Sequence, residues 1–306
     1  MSGPVLCFGE TLVDLTCPEP VERFADACTF VPHPAGAAAN VAVAVAQEGA
    51  RVALTPGVGD DAWGRWLEPQ LARAGVDLRL FTLTPGRETP VAFVTVDGDG
   101  SPAFVIYGRG IEDGIVAAEA LLESLLAGCS ALWIGSNTVV GDAERRVTHR
   151  AKELALALGL PVFVDANIRP ARWRTPADAI QEVRSLAAGA RILKLNDAEA
   201  RLVGGDDDLE RACATLLALG CPQVVVTCGA NGALLRGEVD AEAPGVPARA
   251  VDTTGAGDAV SGVLLARLWA AEWELAVLEP ALPDAMARAA RCVEQLGALT
   301  YCLSEG

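Results

Sequence analysis

Asp252-Thr253-Thr254-Gly255-Ala256-Gly257-Asp258 runs from a turn-forming segment into an apolar helix. The first turn of a helix leaves backbone N–H groups without internal partners, and such groups attract anions. Gly255, Ala256 and Gly257 would aim these donors at a migrating phosphoryl group. Asp258 is placed to take a proton from an attacking hydroxyl, and the helix N-terminus would keep its carboxylate ionised. Phosphoryl transfer needs positioning and charge stabilisation above all. The expected chemistry is therefore that of a small-molecule kinase, although a plain helix start or an allosteric anion site would use the same residues.

Asn196-Asp197-Ala198-Glu199 follows the apolar stretch Ile192 to Leu195. Asn196 and Glu199, three apart, can face one ligand. Glu199 could hold Mg²⁺ through water, with Asn196 on phosphate oxygens or that water shell. The same spacing satisfies a helix capping box, and local sequence does not choose between the two. Asp14 and Asn40 are candidates for sugar hydroxyls, because carboxylate and amide groups give the directional bonding a polyol needs. Gly36 would let substrate approach the backbone closely.

Asp165-Ala166-Asn167-Ile168-Arg169-Pro170 crowds polar groups at one strand end. Arg169 could meet a phosphate or a substrate carboxylate, or fix Asp165 in an ion pair. Thr227, Gly229 and Gly232 sit where a strand-to-turn transition would lie beneath ATP. Tyr107 and Arg109 are candidate substrate contacts. His33 and His149 have no acid or nucleophile at a catalytic spacing.

These residues need elements to hold them. Short apolar runs at 5–9, 51–58, 130–134, 162–165, 191–195 and 223–228 read as strands. Helical patterns at 36–47, 61–74, 115–127, 142–158, 177–188, 207–219, 256–271 and 283–295 alternate with them. Strands apolar on both faces between helices predict an α/β fold with a mostly parallel sheet. Ligands in such folds gather beyond the carboxyl ends of the strands, and Asp14, Asp165, Asn196 and Thr227 are expected on that rim with Asp258. Runs at 89–96 and 102–107 around Asp97-Gly98-Asp99-Gly100 form a hairpin signal, with a second pair from 12–15 and 29–31. Together they predict a small lid sheet from segments at about 11–33 and 87–110 within one 306-residue domain. A lid would exclude water, and its exposed edges suggest a homodimer joined through it.

Composition supplies exclusions. Apolar residues make up 51% and charged residues 21%, which suits a globular chain. A net charge of −16 argues against a general nucleic-acid or anionic-membrane surface. Nine cysteines form no CxxC pair and read as free thiols in a reducing compartment. The segment Met1 to Pro4 lacks a signal-peptide pattern and no apolar run approaches a bilayer span, so the expected location is cytoplasmic. Nothing after Val5 to Gly9 matches a dinucleotide-binding fingerprint, which sets a Rossmann oxidoreductase aside.

At Gly9-Glu10 with Asp14, Ala35-Gly36-Ala37-Ala38-Ala39-Asn40, the Asp165 to Pro170 run, Asn196 to Glu199 and the Asp252 to Asp258 run, the chain resembles the ribokinase-like carbohydrate kinases, or PfkB family. The resemblance extends to Gly297-Ala298. It implies a three-layer sandwich, ATP across the late strands, and a sugar beneath a small β lid that receives the γ-phosphoryl group on a primary hydroxyl. It implies Asp258 as base, Gly255 to Gly257 as anion hole, and Asn196 with Glu199 organising Mg²⁺ and phosphates. Asp14, Gly36 and Asn40 would bind sugar, and Thr227 and Gly229 the nucleotide. Some members are potassium-stimulated, and Asp252 matches the residue beside their K⁺. The motif style is closest to fructokinases, then 2-keto-3-deoxygluconate kinases, then ribokinases and nucleoside kinases. A catalytically silent sugar-binding regulator would be expected to lack the base or the anion hole, and both are intact here.

Overall fold

The computed structural model describes residues 3–98 and 100–303. Asp99, at the tip of the expected hairpin, and Met1 and Ser2 of the N-terminal segment lie outside the described residues. Among the described residues twelve strands form two sheets: β1 (Val5–Phe8), β2 (Leu12–Thr16), β3 (Val31–Ala35), β4 (Val52–Thr55), β5 (Val91–Val96), β6 (Pro102–Tyr107), β7 (Ala131–Gly135), β8 (Val162–Asp165), β9 (Ile192–Asn196), β10 (Gln223–Thr227), β11 (Ala233–Gly237) and β12 (Ala241–Ala243). The larger sheet has the order β12-β11-β10-β9-β8-β7-β1-β4. It is parallel from β10 to β4, and β11 and β12 add an antiparallel edge. The smaller sheet runs β3-β2-β5-β6.

Alternation within the strands explains the layering. Val5 and Cys7 of β1 join a core formed with helices Ala37–Gln47, Ala256–Ala270 and Leu278–Val293, while Leu6 and Phe8 face helices Asp142–Ala157 and Pro176–Ala187. Side chains of a strand point alternately to opposite faces, so a sheet covered on both sides must be apolar throughout. The result is the expected α/β three-layer arrangement. Helices Ala37–Gln47 and Ala256–Ala270 pack backbone to backbone, because a Cβ on Gly262 would fall 2.2 Å from Ala44 Cβ.

Several boundaries differ from the sequence reading. The strand expected at 29–31 is β3, Val31–Ala35, which contains Pro32 and Pro34. Two prolines argue against a strand, but β3 is an edge and both missing donors fall on the same side of it. The helix expected at 115–127 is split into Gly110–Ala117 and Leu122–Leu126. Gly110 and Gly114 weaken the helical signal there, yet Gly110 must be small because a Cβ would meet Glu88 O at 2.5 Å. Asp14 lies inside β2 of the smaller sheet, as the strand expected at 12–15 implies, opposite Ala92 and His33.

Candidate active site

Asp258 sits in the first turn of helix Ala256–Ala270 and is buried. Gly255 precedes that helix at φ +83°, where a side chain would be strained and its Cβ would strike Ala298 at 2.5 Å. The chain can therefore turn into the helix, with Ala256 N donating to Thr253 O at 3.3 Å and Ala259 N to Gly255 O at 2.8 Å. Asn40 reaches in from the first long helix and donates from Nδ2 to Asp258 Oδ2 at 2.8 Å. Burial pushes the Asp258 carboxyl up to about 6, and Asp165 adds to the push. Lys194, the Asn40 hydrogen bond and Arg169 pull the other way. The group is then largely ionised at neutral pH and able to accept a proton.

Three cavities lie in a row past this residue. A polar chamber of about 250 Å³ holds Gly255, Gly257, Asp258, Asn196, Glu199 and Thr227. An apolar slot of about 450 Å³ adjoins it, sharing Thr227, Thr253 and Gly257, and is lined by Gly229, Gly232, Val246, Val260 and Met286. On the other side an open cleft of about 860 Å³ shares Pro102, Phe104 and Arg169 with the chamber and adds Arg109. The run from Pro102 to Ile106 of β6 lines this cleft. The turn after β5 also touches the Asp252 to Asp258 segment: Thr253 N and Oγ1 each donate to Gly100 O at 3.1 Å.

The remaining sequence candidates fall into groups. Asp14 is buried, and its carboxyl is pushed up to about 7 by burial first and Asp252 next, with Arg169 opposing. Gly36 caps the Asn40 helix at φ +103°, with Glu10 O only 2.4 Å from where a Cβ would stand. Neither residue nor Asn40 lines any of the three cavities, and Asn40 meets the chamber through its hydrogen bond to Asp258. Asn196 and Glu199 make the capping box in full. Asn196 Oδ1 accepts from Glu199 N at 2.8 Å, and Glu199 accepts from Asn196 N at 2.9 Å and Ile168 N at 2.6 Å. Both Glu199 oxygens thus already serve backbone donors.

Asp252 behaves similarly, taking Thr254 N and Gly297 N at 2.9 Å each. Arg169 does not pair with Asp165. Its guanidinium lies 5.1 Å from the centre of the Phe104 ring, at the border of chamber and cleft. Arg109 is ion-paired with Glu112 at 3.0 Å. Tyr107 is not brought to the cavities. The pleat of β6 turns it to the opposite face, where it is 57% exposed and packs on Phe93 at 5.6 Å.

Sequence reasoning missed Lys194. It lies in β9 directly beside Asp165 of β8, and its Nζ donates to both Asp165 oxygens at 3.2 and 3.0 Å. Ser261 Oγ donates to the same carboxylate at 2.8 Å. The available signal was a single lysine inside an apolar run that must be covered on both faces. Glu10 was also given no role, yet its Oε1 accepts from Ala37 N at 3.3 Å and Asn137 Nδ2 at 3.0 Å, which anchors the helix that carries Asn40. Among the described residues no group of three or more His, Cys, Asp or Glu could hold a metal ion, and no helix is long and apolar enough to cross a membrane.

A family model described as pfkB family carbohydrate kinase matches residues 3–305. Fructokinase-1 of Oryza sativa subsp. japonica is 33% identical over 272 residues, covering 86% of this chain and 82% of the rice protein. A double-mutant fructokinase from Vibrio cholerae O395, solved with fructose, ADP and potassium ion, superposes at a TM-score of 0.83 with 27% identity. The match covers 98% of this chain and 95% of that one. Aminoimidazole riboside kinase from Salmonella enterica, solved with its riboside and an ATP analogue, gives 0.80 at 26% identity, covering 98% and 96%.

Proposed function

This chain belongs to the pfkB family of carbohydrate kinases and is an ATP-dependent sugar kinase, and we propose that fructose is its acceptor. The observation that carries the proposal is Asp258, a buried carboxylate held by Asn40 in one chamber with Gly255 and Gly257, between an apolar slot and an open cleft. The slot suits a nucleotide base, the chamber its phosphates, and the cleft side an incoming alcohol. Thr227, Gly229 and Gly232 would lie along the nucleotide.

In the proposed reaction the acceptor's primary hydroxyl gives its proton to Asp258 as its oxygen bonds to the γ-phosphorus. The bond from phosphorus to the bridging oxygen breaks, and its electron pair leaves with ADP. N–H groups of Gly255, Ala256 and Gly257 hold the charge on the transferring oxygens. Asp14, Gly36 and Asn40 would fix the sugar from below. Asn40 Oδ1 and Thr11 Oγ1 are buried without partners, which fits a ligand rich in hydroxyls.

Mg²⁺ would arrive on the triphosphate with most of its water, since the acids nearby form no cage of their own. When bound it neutralises phosphate charge; Asn196 and Glu199 would meet its water shell. K⁺ would sit at the Asp252 turn, where Thr254 Oγ1 is a buried oxygen without a partner. The smaller sheet would act as the lid, with Gly100 resting on Thr253 as its closed contact. A homodimer would cover its outer face, and a cytoplasmic location suits nine free cysteines.

An acidic sugar such as 2-keto-3-deoxygluconate is the second reading, favoured by Arg169 at the chamber mouth. A panel of fructose, 2-keto-3-deoxygluconate, ribose, glucose and nucleosides, read by ADP release and by ³¹P spectra of the product, decides between them. Fructose should give the highest kcat/KM and a primary phosphate ester. A clear preference for the acidic sugar would overturn the fructose assignment.

A further inference from the structure

Lys194 has no part in the chemistry set out above, yet its ammonium group lies against the cradle. A Cβ on Gly257 would come within 2.6 Å of Nζ. The side chain lines the chamber with Gly255, Gly257 and Asp258, although it is only 6% exposed. Asp165 grips it with both oxygens, and Ser261, five residues after the helix begins, grips Asp165. Taking two charges out of water is costly, and a well-packed apolar pair often serves stability as well or better. A lysine between Leu193 and Leu195 in a central strand therefore asks for a reason beyond packing.

We propose that Lys194 is the fixed cation of the phosphoryl site, aimed by Asp165 and Ser261 at the back of the Gly257 cradle, where it offsets charge gathering on the transferring oxygens. The proposal rests on reading the chamber as the phosphate site. Backbone N–H groups provide partial charges there, and Lys194 adds a whole one that needs no reorganisation during transfer.

Lys194 also acts on the base. The charged groups facing Asp258 are Asp165 and Asp14, which oppose its ionisation, and Lys194 and Arg169, which favour it together with the Asn40 donor. Lys194 itself faces Asp165, Asp258 and Glu199; burial works against its charge, and these acids outweigh burial. Removing the lysine alone should make Asp258 harder to ionise. Removing Lys194 and Asp165 together removes one pull and one push.

The test compares Lys194→Met with the double variant Asp165→Asn/Lys194→Met. Lys194→Met should lower kcat about 10²-fold. It should also move the acid limb of kcat/KM to higher pH, while KM for fructose stays within about threefold. The double variant leaves no lone buried charge and should fold. Its acid limb should return toward that of the unaltered protein while kcat stays low. A double variant whose kcat recovers to within a few-fold of the unaltered protein would overturn the proposal, since that is what a purely structural pair predicts. Should Lys194→Met not fold, the double variant decides alone. Failure of the kinase reading looks different: the unaltered protein would release no ADP with any sugar. In that case calorimetric binding of inorganic triphosphate still reads Lys194, with about a tenfold loss expected in the double variant. Equal affinity would defeat the proposal.

Discussion

Asn40 Nδ2 and Asp258 Oδ2 stand 2.8 Å apart across 218 residues of sequence. The bond joins the first long helix to the helix whose start forms the cradle, and it leaves Asn40 Oδ1 buried and free. In the proposed reaction this amide would hold the base with its nitrogen and a substrate hydroxyl with its oxygen.

Asp258 accepts a proton only when ionised, and burial has pushed its carboxyl up to about 6. The kcat/KM of the free enzyme should therefore fall as pH drops through about 6. Asp258→Asn should bind sugar yet lose at least about 10²-fold in kcat. Steady-state rates from pH 5 to 8.5 check both, and near-normal turnover by the folded variant would remove Asp258 from the chemistry.

Asp14 carries a stability consequence. Its carboxyl is pushed up to about 7 by burial, above its ordinary value near 3.8. Between those two values the folded state holds a proton that the unfolded state releases. Stability contributed by Asp14 is thus lost as pH rises through that window, and the full cost is present above 7. Asp14→Asn should raise the melting temperature of the ligand-free protein more at pH 8 than at pH 5, while weakening fructose binding. Equal shifts at both pH values would contradict the buried-acid account.

Potassium is tested by exchange of monovalent ions at constant ionic strength. If a cation binds beside Asp252, K⁺ should raise kcat over choline or Li⁺. Identical rates in all three salts would dispense with the site.

The outer face of the smaller sheet gathers Phe24, Phe30, Phe93 and Tyr107, with Phe30 and Phe93 edge to face at 4.9 Å. Phe24, Val105 and Tyr107 are exposed there. Such a contiguous aromatic patch suits a second copy of the chain. Light scattering should give twice the 31.6 kDa chain mass, and Phe93→Lys should return it to the single-chain value. A concentration-independent monomer in the unaltered protein would sink this arrangement.

Much of the site was legible because it is local. The run from Asp252 to Asp258 encodes its own turn, helix start and acid, and Asn196 with Glu199 encodes its own cap. Lys194 was not legible, because its meaning depends on register: β8 and β9 place Asp165 beside Lys194, and no spacing rule links residues 29 apart. Arg169 was the nearer cation in sequence and the wrong partner for Asp165. Strands β11 and β12 went unread for a related reason: they are short, carry Arg236 and Glu242, and gain strand character only by pairing with β10. Tyr107 was placed on the correct strand, but the face it takes depends on which side of the smaller sheet meets the larger one.

Where Gly262 rests on Ala44, the two helices carrying Asp258 and Asn40 touch without a methyl group's clearance. That contact and the Asn40–Asp258 bond brace the two helices as one keel beneath the proposed reaction. In the proposed reaction the adjustable part would be the strand above it, so exchanges along β6, which lines the open cleft, would redraw the preferred alcohol before they disturb the carboxylate and its cradle.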